Sequence, residues 1–385
     1  MCMKISIMTV SKVKNYGSAL LCYATQEIFK QVGFDEIEFI NYKRGRLEEA
    51  DNISEFYKGI CDDAKHNLNM NKFVKVIFFV VKLPSILKRS KVFNAFLNKN
   101  LNYTISYKEQ KELYNNPPRA DIYCTGGDQM WNEMYNGHKT LLPFYLDFVD
   151  ANKPKVSFGT SFGKSELDTW EIEEITQLLK RYNYITVREE SGCKIIERMN
   201  IENARNILDP TLALTASQWI KFAHKKQGVN NYILVYRVSR ESDVLSVARK
   251  IARVTRKKII MLSYNWEDKL RFVHNIFVPT PEEFVGLIKN AEYVVSDSFH
   301  ATAFAINLNV KFITVLPSKT AGRIENIVNK CGLSGRIWKE NVNIYNYVEN
   351  IDFSEANEIL QREREKIYDS AMVIMNIAQN YKEDK

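Results

Sequence analysis

The stretch EYVVSDSFHATAFAINL, residues 292–308, decides how this chain is read. It opens as a short apolar run rich in β-branched residues, the mark of a buried strand, and closes as a small-residue helical pattern. Between the two stand Ser296, Asp297, Ser298 and His300. Any of the first three can cap the helix that follows. The first amides of a helix lack intrahelical partners, so a corner of this kind is a natural place for an anion. His300 falls on the first turn, and an imidazole titrates near neutrality before any perturbation, which suits chemistry on anions. A capped corner with a surface histidine fits the same letters. Phe299 and Phe304 are expected in the core, with Ala301, Ala303 and Ala305 allowing close packing.

Working outward, the same strand-then-helix unit recurs along the chain. KISIMTV (4–10) precedes a helical pattern at 18–32, and EIEFINY (36–42) is the next strand. ADIYCTGG (120–127), KVSFGTS (155–161) and NYITVRE (183–189) continue the series. The polar stretch TASQWIKFAHKKQGVNN (215–231) reads as a boundary, after which YILVYRV, KKIIMLSY, EYVVS and VKFITVL restart it. Strands alternating with helices of this length imply mostly parallel sheets with helices on both faces. The chain is therefore expected to hold a first domain at 1–215 and a second at 216–352. The Lys- and Asn-rich section at about 43–118 reads as a helical insertion in the first domain, outside its sheet. A long charged helix at 353–385 follows, with Tyr368, Met372 and Met375 spaced to pack back on a domain.

Composition narrows the class. At 385 residues, with 45% hydrophobic and 26% charged residues, the chain has the makeup of a soluble globular protein. Its six cysteines, at 2, 22, 61, 124, 193 and 331, form no CxxC pair, which suits a reducing compartment. Its five histidines show no ligand spacing, and no metal or cofactor is expected. There is no Walker A motif, no GxSxG elbow and no GxGxxG fingerprint. With no apolar run approaching the roughly 20 residues that span a bilayer, and no signal-peptide pattern, a cytoplasmic location is expected.

The net charge of +8 is concentrated in one window. From 72 to 111 there are nine basic residues (Lys72, Lys75, Lys82, Lys88, Arg89, Lys91, Lys99, Lys108 and Lys111) against the single acid Glu109. Basic and apolar residues together suit an anionic membrane surface or an anionic lipid-linked substrate. A helix that packs its apolar side inward and wets its lysines is the simpler alternative. No nucleic-acid-binding signature accompanies the charge, and no nucleic-acid partner is expected.

Further corners gather polar groups. NYGSALL (15–21) offers Asn15 and Gly17 for a tight turn and Ser18 as a helix cap. TGGDQMWNEMY (125–135) leaves Asp128, Gln129, Trp131 and Asn132 at the end of a strand. Carboxylate, amide and indole together suit a sugar, and equally a capped turn with Trp131 in the core. SFGTSFGKS (157–165) adds two flexible turns and Lys164. Arg188 directly follows a strand, and Arg323 lies near the start of a later helix. An arginine grips a carboxylate or phosphate bidentately, as lysine does not.

Taken together and in order, NYGSALLCYATQ, TGGDQMWN, SFGTSFG, ITVREESG, LDPTL and VVSDSFHATAFAI resemble the polysaccharide pyruvyl transferase family over about residues 4–335. One departure is Ala301, which follows the histidine where relatives usually carry glycine. The resemblance implies two Rossmann-like open parallel-sheet domains facing a cleft, similar to GT-B glycosyltransferases. It implies transfer of the pyruvyl group of phosphoenolpyruvate to a sugar of a polysaccharide or lipid-linked glycan precursor, giving a pyruvate ketal and phosphate. On that reading Arg188, Arg323, Ser298 and His300 bind phosphoenolpyruvate, and His300 donates a proton or assists phosphate loss. Asp128 orients or deprotonates the acceptor, with Asn15, Gln129, Trp131 and Asn132 at the sugar. A lipid-linked acceptor would draw the basic segment toward the inner face of a membrane as a peripheral contact. The alternatives are a GT-B-type glycosyltransferase using a nucleotide sugar and a non-catalytic glycan-binding or scaffold protein.

Overall fold

The computed structural model describes residues 2–43, 54–55, 72–132, 141–202, 204–224, 230–239, 243–266, 268, 274–317 and 321–383. His66 and His138 lie outside these residues. The chain divides into two compact units, one of residues 1–50, 97–213 and 363–385, the other of residues 51–96 and 214–362.

The sheet of the first unit is built from β1 (Lys4–Met8), β2 (Glu36–Tyr42), β3 (Tyr103–Tyr107), β4 (Ile122–Gly126) and β5 (Lys155–Phe158). They lie in the order β3-β2-β1-β4-β5, and every pairing is parallel. Two short strands, β6 (Ile185–Val187) and β7 (Ala204–Asn206), form a parallel pair. Bridges from Val156 to Tyr184 and from Thr160 to Val187 attach this pair to β5. The central strands read as nearly unbroken apolar runs because both faces are covered, as in Ile122–Gly126, where every residue is buried.

The second unit repeats the plan with β8 (Tyr232–Tyr236), β9 (Lys258–Ser263), β10 (His274–Phe277), β11 (Tyr293–Ser296) and β12 (Phe312–Thr314). Their order is β10-β9-β8-β11-β12, again parallel throughout. Counted from its own first strand, each sheet reads 3-2-1-4-5. The strand order therefore reverses beside β1 and β4 in one unit and beside β8 and β11 in the other, and open α/β sheets bind ligands outside the strand ends at such points. The two open parallel sheets expected from the alternation of strands and helices are present.

The basic section departs from expectation in two ways. Its C-terminal part, YTISY, is a strand and not an excursion outside the sheet: β3 pairs with β2 at the sheet edge. Alternating aromatic and β-branched residues favour that state despite the polar flanks. The helix Lys72–Asn100 does form, but residues up to 96 group with the second unit rather than with the first. Its inward face explains this. Phe93 packs against Tyr264 and Phe96 against Phe222, while the Trp266 indole donates to Val81 O at 2.6 Å.

The last helix runs Ser354–Glu383, and from Glu363 onward it belongs to the first unit. Leu360, Ile367, Ala371, Ile374 and Ala378 are buried along one stripe, and Met375 joins them against Gly33. The Tyr368 hydroxyl donates to Gln31 at 2.9 Å. Met372, expected to pack inward, is exposed, because it falls outside that stripe.

Candidate functional site

In the first unit the candidate residues collect after β4 and β6. Gly127 has φ of +127°, and a Cβ there would come within 2.3 Å of Thr9 Oγ1, so the turn leaving β4 requires glycine. That turn presents Asp128. Arg188, buried just beyond β6, donates from Nη2 to Asp128 Oδ1 at 2.8 Å and to Gly127 O at 3.5 Å. Its Nη1 donates to Asp209 Oδ2. Asp209 is fixed in turn by the Thr211 amide at 2.9 Å and the Thr211 hydroxyl at 2.6 Å, at the start of the turn Pro210–Leu212. Burial works against the guanidinium charge, but Asp209, Asp128 and Glu189 outweigh it and hold the pKa of Arg188 above its ordinary value.

Arg188, expected to clamp an anion, is here paired with Asp128 and Asp209. One buried cation already faces two carboxylates through Nη1 and Nη2, so its field is compensated, while its buried Nε has no hydrogen-bond partner among the described residues. Its evident work is to hold Asp128, whose side chain remains partly exposed.

The sugar-facing candidates also divide. Trp131 is buried: its Nε1–H donates to Phe144 O at 3.1 Å and its ring stacks on Tyr145 at 5.6 Å. It fills the core, together with Phe162 and Tyr182, and does not present a face to a sugar. Asn132 is buried as well. Its amide donates to Gln129 O at 3.3 Å, folding the loop back on itself. Asp128 and Gln129 are half-buried and reach the surface. Asn15 rather than Ser18 is the helix cap: Asn15 Oδ1 accepts from the Ser18 amide at 2.7 Å, and Ser18 lies inside the helix Tyr16–Gln31. That bond engages the side-chain oxygen of a residue expected at the sugar and leaves its Nδ2 outside the cap.

In the second unit the candidate residues collect at the corner after β11. Ser298 caps the helix Phe299–Asn307, accepting from the Ala301 amide at 3.4 Å. Asp297 is buried and accepts from the amides of Val238 at 2.7 Å and Ser239 at 2.9 Å. Ser296 Oγ donates to Tyr236 O at 2.6 Å and accepts from the Ser298 amide at 3.0 Å. These bonds join the exits of β8 and β11, the two strands at the reversal of order.

His300 is buried here, not a surface residue of the cap. Its imidazole stands edge-on to the Phe299 ring with centroids 5.1 Å apart. The Arg323 guanidinium lies 5.7 Å from the centroid of that same ring. His300 and Arg323, 23 positions apart in sequence, thus share one aromatic neighbour. Arg323 sits in the first turn of the helix Ala321–Lys330.

One residue of this corner escaped the sequence reading. Arg237 directly follows β8, is largely buried, and faces Asp268 at 3.8 Å. Its signal was its position: it ends the first strand of the restarted pattern, where the same logic had drawn attention to Arg188.

These features define an α/β protein with two parallel-sheet units, each with polar groups gathered where its strand order reverses. The chain belongs to the polysaccharide pyruvyl transferase family, whose sequence model matches residues 15–319. No curated protein matches it. Among solved structures, UDP-GlcNAc 2-epimerase from Methanocaldococcus jannaschii is similar at a TM-score of 0.47 and 14% identity, covering 94% of this chain and 99% of that one. UDP-GlcNAc 2-epimerase from Neisseria meningitidis, bound to UDP-GlcNAc, gives 0.46 and 11%, covering 99% and 100%. A glycosyltransferase from Streptomyces nogalater gives 0.43 and 10%, covering 98% and 100%. At these scores the likeness is a loose one of fold.

Proposed function

We propose that the protein transfers the pyruvyl group of phosphoenolpyruvate to a sugar of a polysaccharide or lipid-linked glycan precursor, forming a pyruvate ketal. Membership of the family supports the reaction class. The observation that carries the assignment of residues is that His300 and Arg323 both lie against the Phe299 ring, at the start of the helix Phe299–Asn307.

The reaction makes three demands. Phosphoenolpyruvate brings a carboxylate and a phosphate on one enol carbon, so the site must hold a small polyanion. Protonation of the methylene makes the central carbon electrophilic. A sugar hydroxyl adds there and loses its proton, phosphate departs with the C–O bond electrons, and a second hydroxyl closes the ketal. In the second unit, Arg323 and the amides behind Ser298 supply the anion contacts. Arg237 adds a second guanidinium at the same strand ends. His300 supplies the proton to the methylene or to the departing phosphate. In the first unit, Asp128, held by Arg188, orients the acceptor hydroxyl or takes its proton, with Asn15 and Gln129 as further polar contacts.

The test is acceptor-dependent phosphate release from phosphoenolpyruvate, with the ketal methyl followed by proton NMR. His300→Gln should lower ketal formation by about a hundredfold or more while leaving the thermal unfolding midpoint close to that of the parent. Unchanged turnover in that variant would remove His300 from the mechanism. Stabilisation of the protein by nucleotide sugars but not by phosphoenolpyruvate would overturn the reaction itself.

A further inference from the structure

The helix Lys72–Asn100 has two faces, and among the described residues its contacts lie along one of them. Inward, Ser85 Oγ accepts from the Trp266 amide at 3.1 Å, Lys82 donates to Asn265 at 3.2 Å, and Arg89 lies over the Tyr264 ring at 4.4 Å. Outward, Ile77, Val80, Val81 and Leu87 are 48%, 59%, 38% and 48% exposed. Pro84, Lys88 and Lys91 are exposed on the same side. Positions 77, 80, 81, 84, 87, 88 and 91 follow one helical stripe, about 21 Å long at 1.5 Å per residue. Among the described residues, nothing packs over these four large apolar side chains, which lie along one stripe ending in lysines.

We infer that this face is a membrane-surface element, which lays Ile77, Val80, Val81 and Leu87 into the headgroup boundary of an anionic bilayer while Lys88 and Lys91 meet lipid phosphates. Charge chooses the occupant. Residues 72–96 of the helix carry six basic residues and no acid, with Lys88 and Lys91 exposed on this stripe, so the partner is anionic. A second copy of this chain would set the same lysines against each other. The apolar stripe is narrow and bordered by cations, as in a helix that lies in the interface plane. Among the described residues no helix is long and apolar enough to cross a membrane. The inference goes beyond the proposed reaction and does not depend on it.

The experiment is co-sedimentation of the full chain with phosphatidylcholine vesicles, with and without phosphatidylglycerol, in low and moderate salt. The parent should sediment with the anionic vesicles, at least about tenfold more strongly than with neutral ones, and less strongly as salt rises. Lys88→Glu with Lys91→Glu should abolish the difference. Ile77→Glu with Val80→Glu should abolish binding, and Leu87→Glu should weaken it. All these positions are exposed, so unfolding midpoints should stay near the parent value. Equal recovery on neutral vesicles, or binding unmoved by the apolar substitutions, would overturn the inference. So would a dimer in light scattering that Ile77→Glu with Val80→Glu dissolves, since a second copy would then own the face. Because no substrate enters the assay, its failure leaves pyruvyl transfer untouched, and loss of transfer leaves it standing.

Discussion

Arg188 and Asp128, 60 residues apart in the chain, meet through a 2.8 Å hydrogen bond, and the second nitrogen of the same guanidinium holds Asp209. Through these bonds Arg188 fixes the Asp128 carboxylate. Removing the cation leaves buried negative charge without compensation. Arg188→Met should therefore destabilise the protein by about 3–5 kcal/mol, measured by urea unfolding. Arg188→Lys keeps the charge but not the two-pronged contact, and should fall between the two. A loss below about 1 kcal/mol for Arg188→Met would show that the ion pairs do little for the fold.

Asp297 ties the exit of β8 to the corner that bears His300, through the amides of Val238 and Ser239. In Asp297→Asn one of the two acceptors becomes a donor, leaving one amide opposed. A stability loss of about 2 kcal/mol is expected, with a larger proportional fall in turnover than in substrate affinity. Steady-state kinetics beside urea unfolding would check both, and turnover unchanged in a destabilised variant would make the tie purely structural.

Arg323 and His300 should separate kinetically. Arg323→Lys should raise KM for phosphoenolpyruvate by about tenfold, because a single ammonium replaces a planar fork. His300→Gln should lower kcat by about a hundredfold or more. A matched fall in kcat for both variants would mean that Arg323 does not act chiefly in binding.

Lys155 gives a pH signature. Its side chain is buried, and Nζ donates to Asp150 O at 2.6 Å and Lys153 O at 3.1 Å. Burial, then the nearby Arg181, lowers its pKa from 10.5 to about 8. Between those values the unfolded chain keeps a proton that the folded protein has released, so folding is favoured as pH rises. The gain is complete above 10.5, shrinks as pH falls, and is absent below about 8. The difference in urea midpoint between the parent and Lys155→Met should follow that window. A flat difference from pH 7.5 to about 10 would show that the amine titrates normally.

Much of the fold was legible in one dimension. Apolar runs such as YVV at 293–295 become strands, and the corners after them carry the turn glycines and caps, because strand and helix periodicity depends on neighbours a few residues away. The Ser298 cap and the placing of His300 on a first turn follow from the same local rules. The Lys- and Asn-rich surroundings of 103–107 masked β3, since an edge strand needs only a partner on one side and a few alternating residues.

What tertiary structure alone decided is who meets whom. The sequence determined that Arg188 and Asp128 each follow a strand; the packing of those strand ends made the first a partner of the second. Likewise Trp131 could have faced a sugar, and Phe144, Tyr145 and Phe162 enclosed it instead. His300 and Arg323 belong to different helices and share Phe299 only because the parallel sheet sets those helix starts side by side. Periodicity is a property of neighbouring residues, whereas charge compensation and burial belong to groups that the chain brings together from far apart.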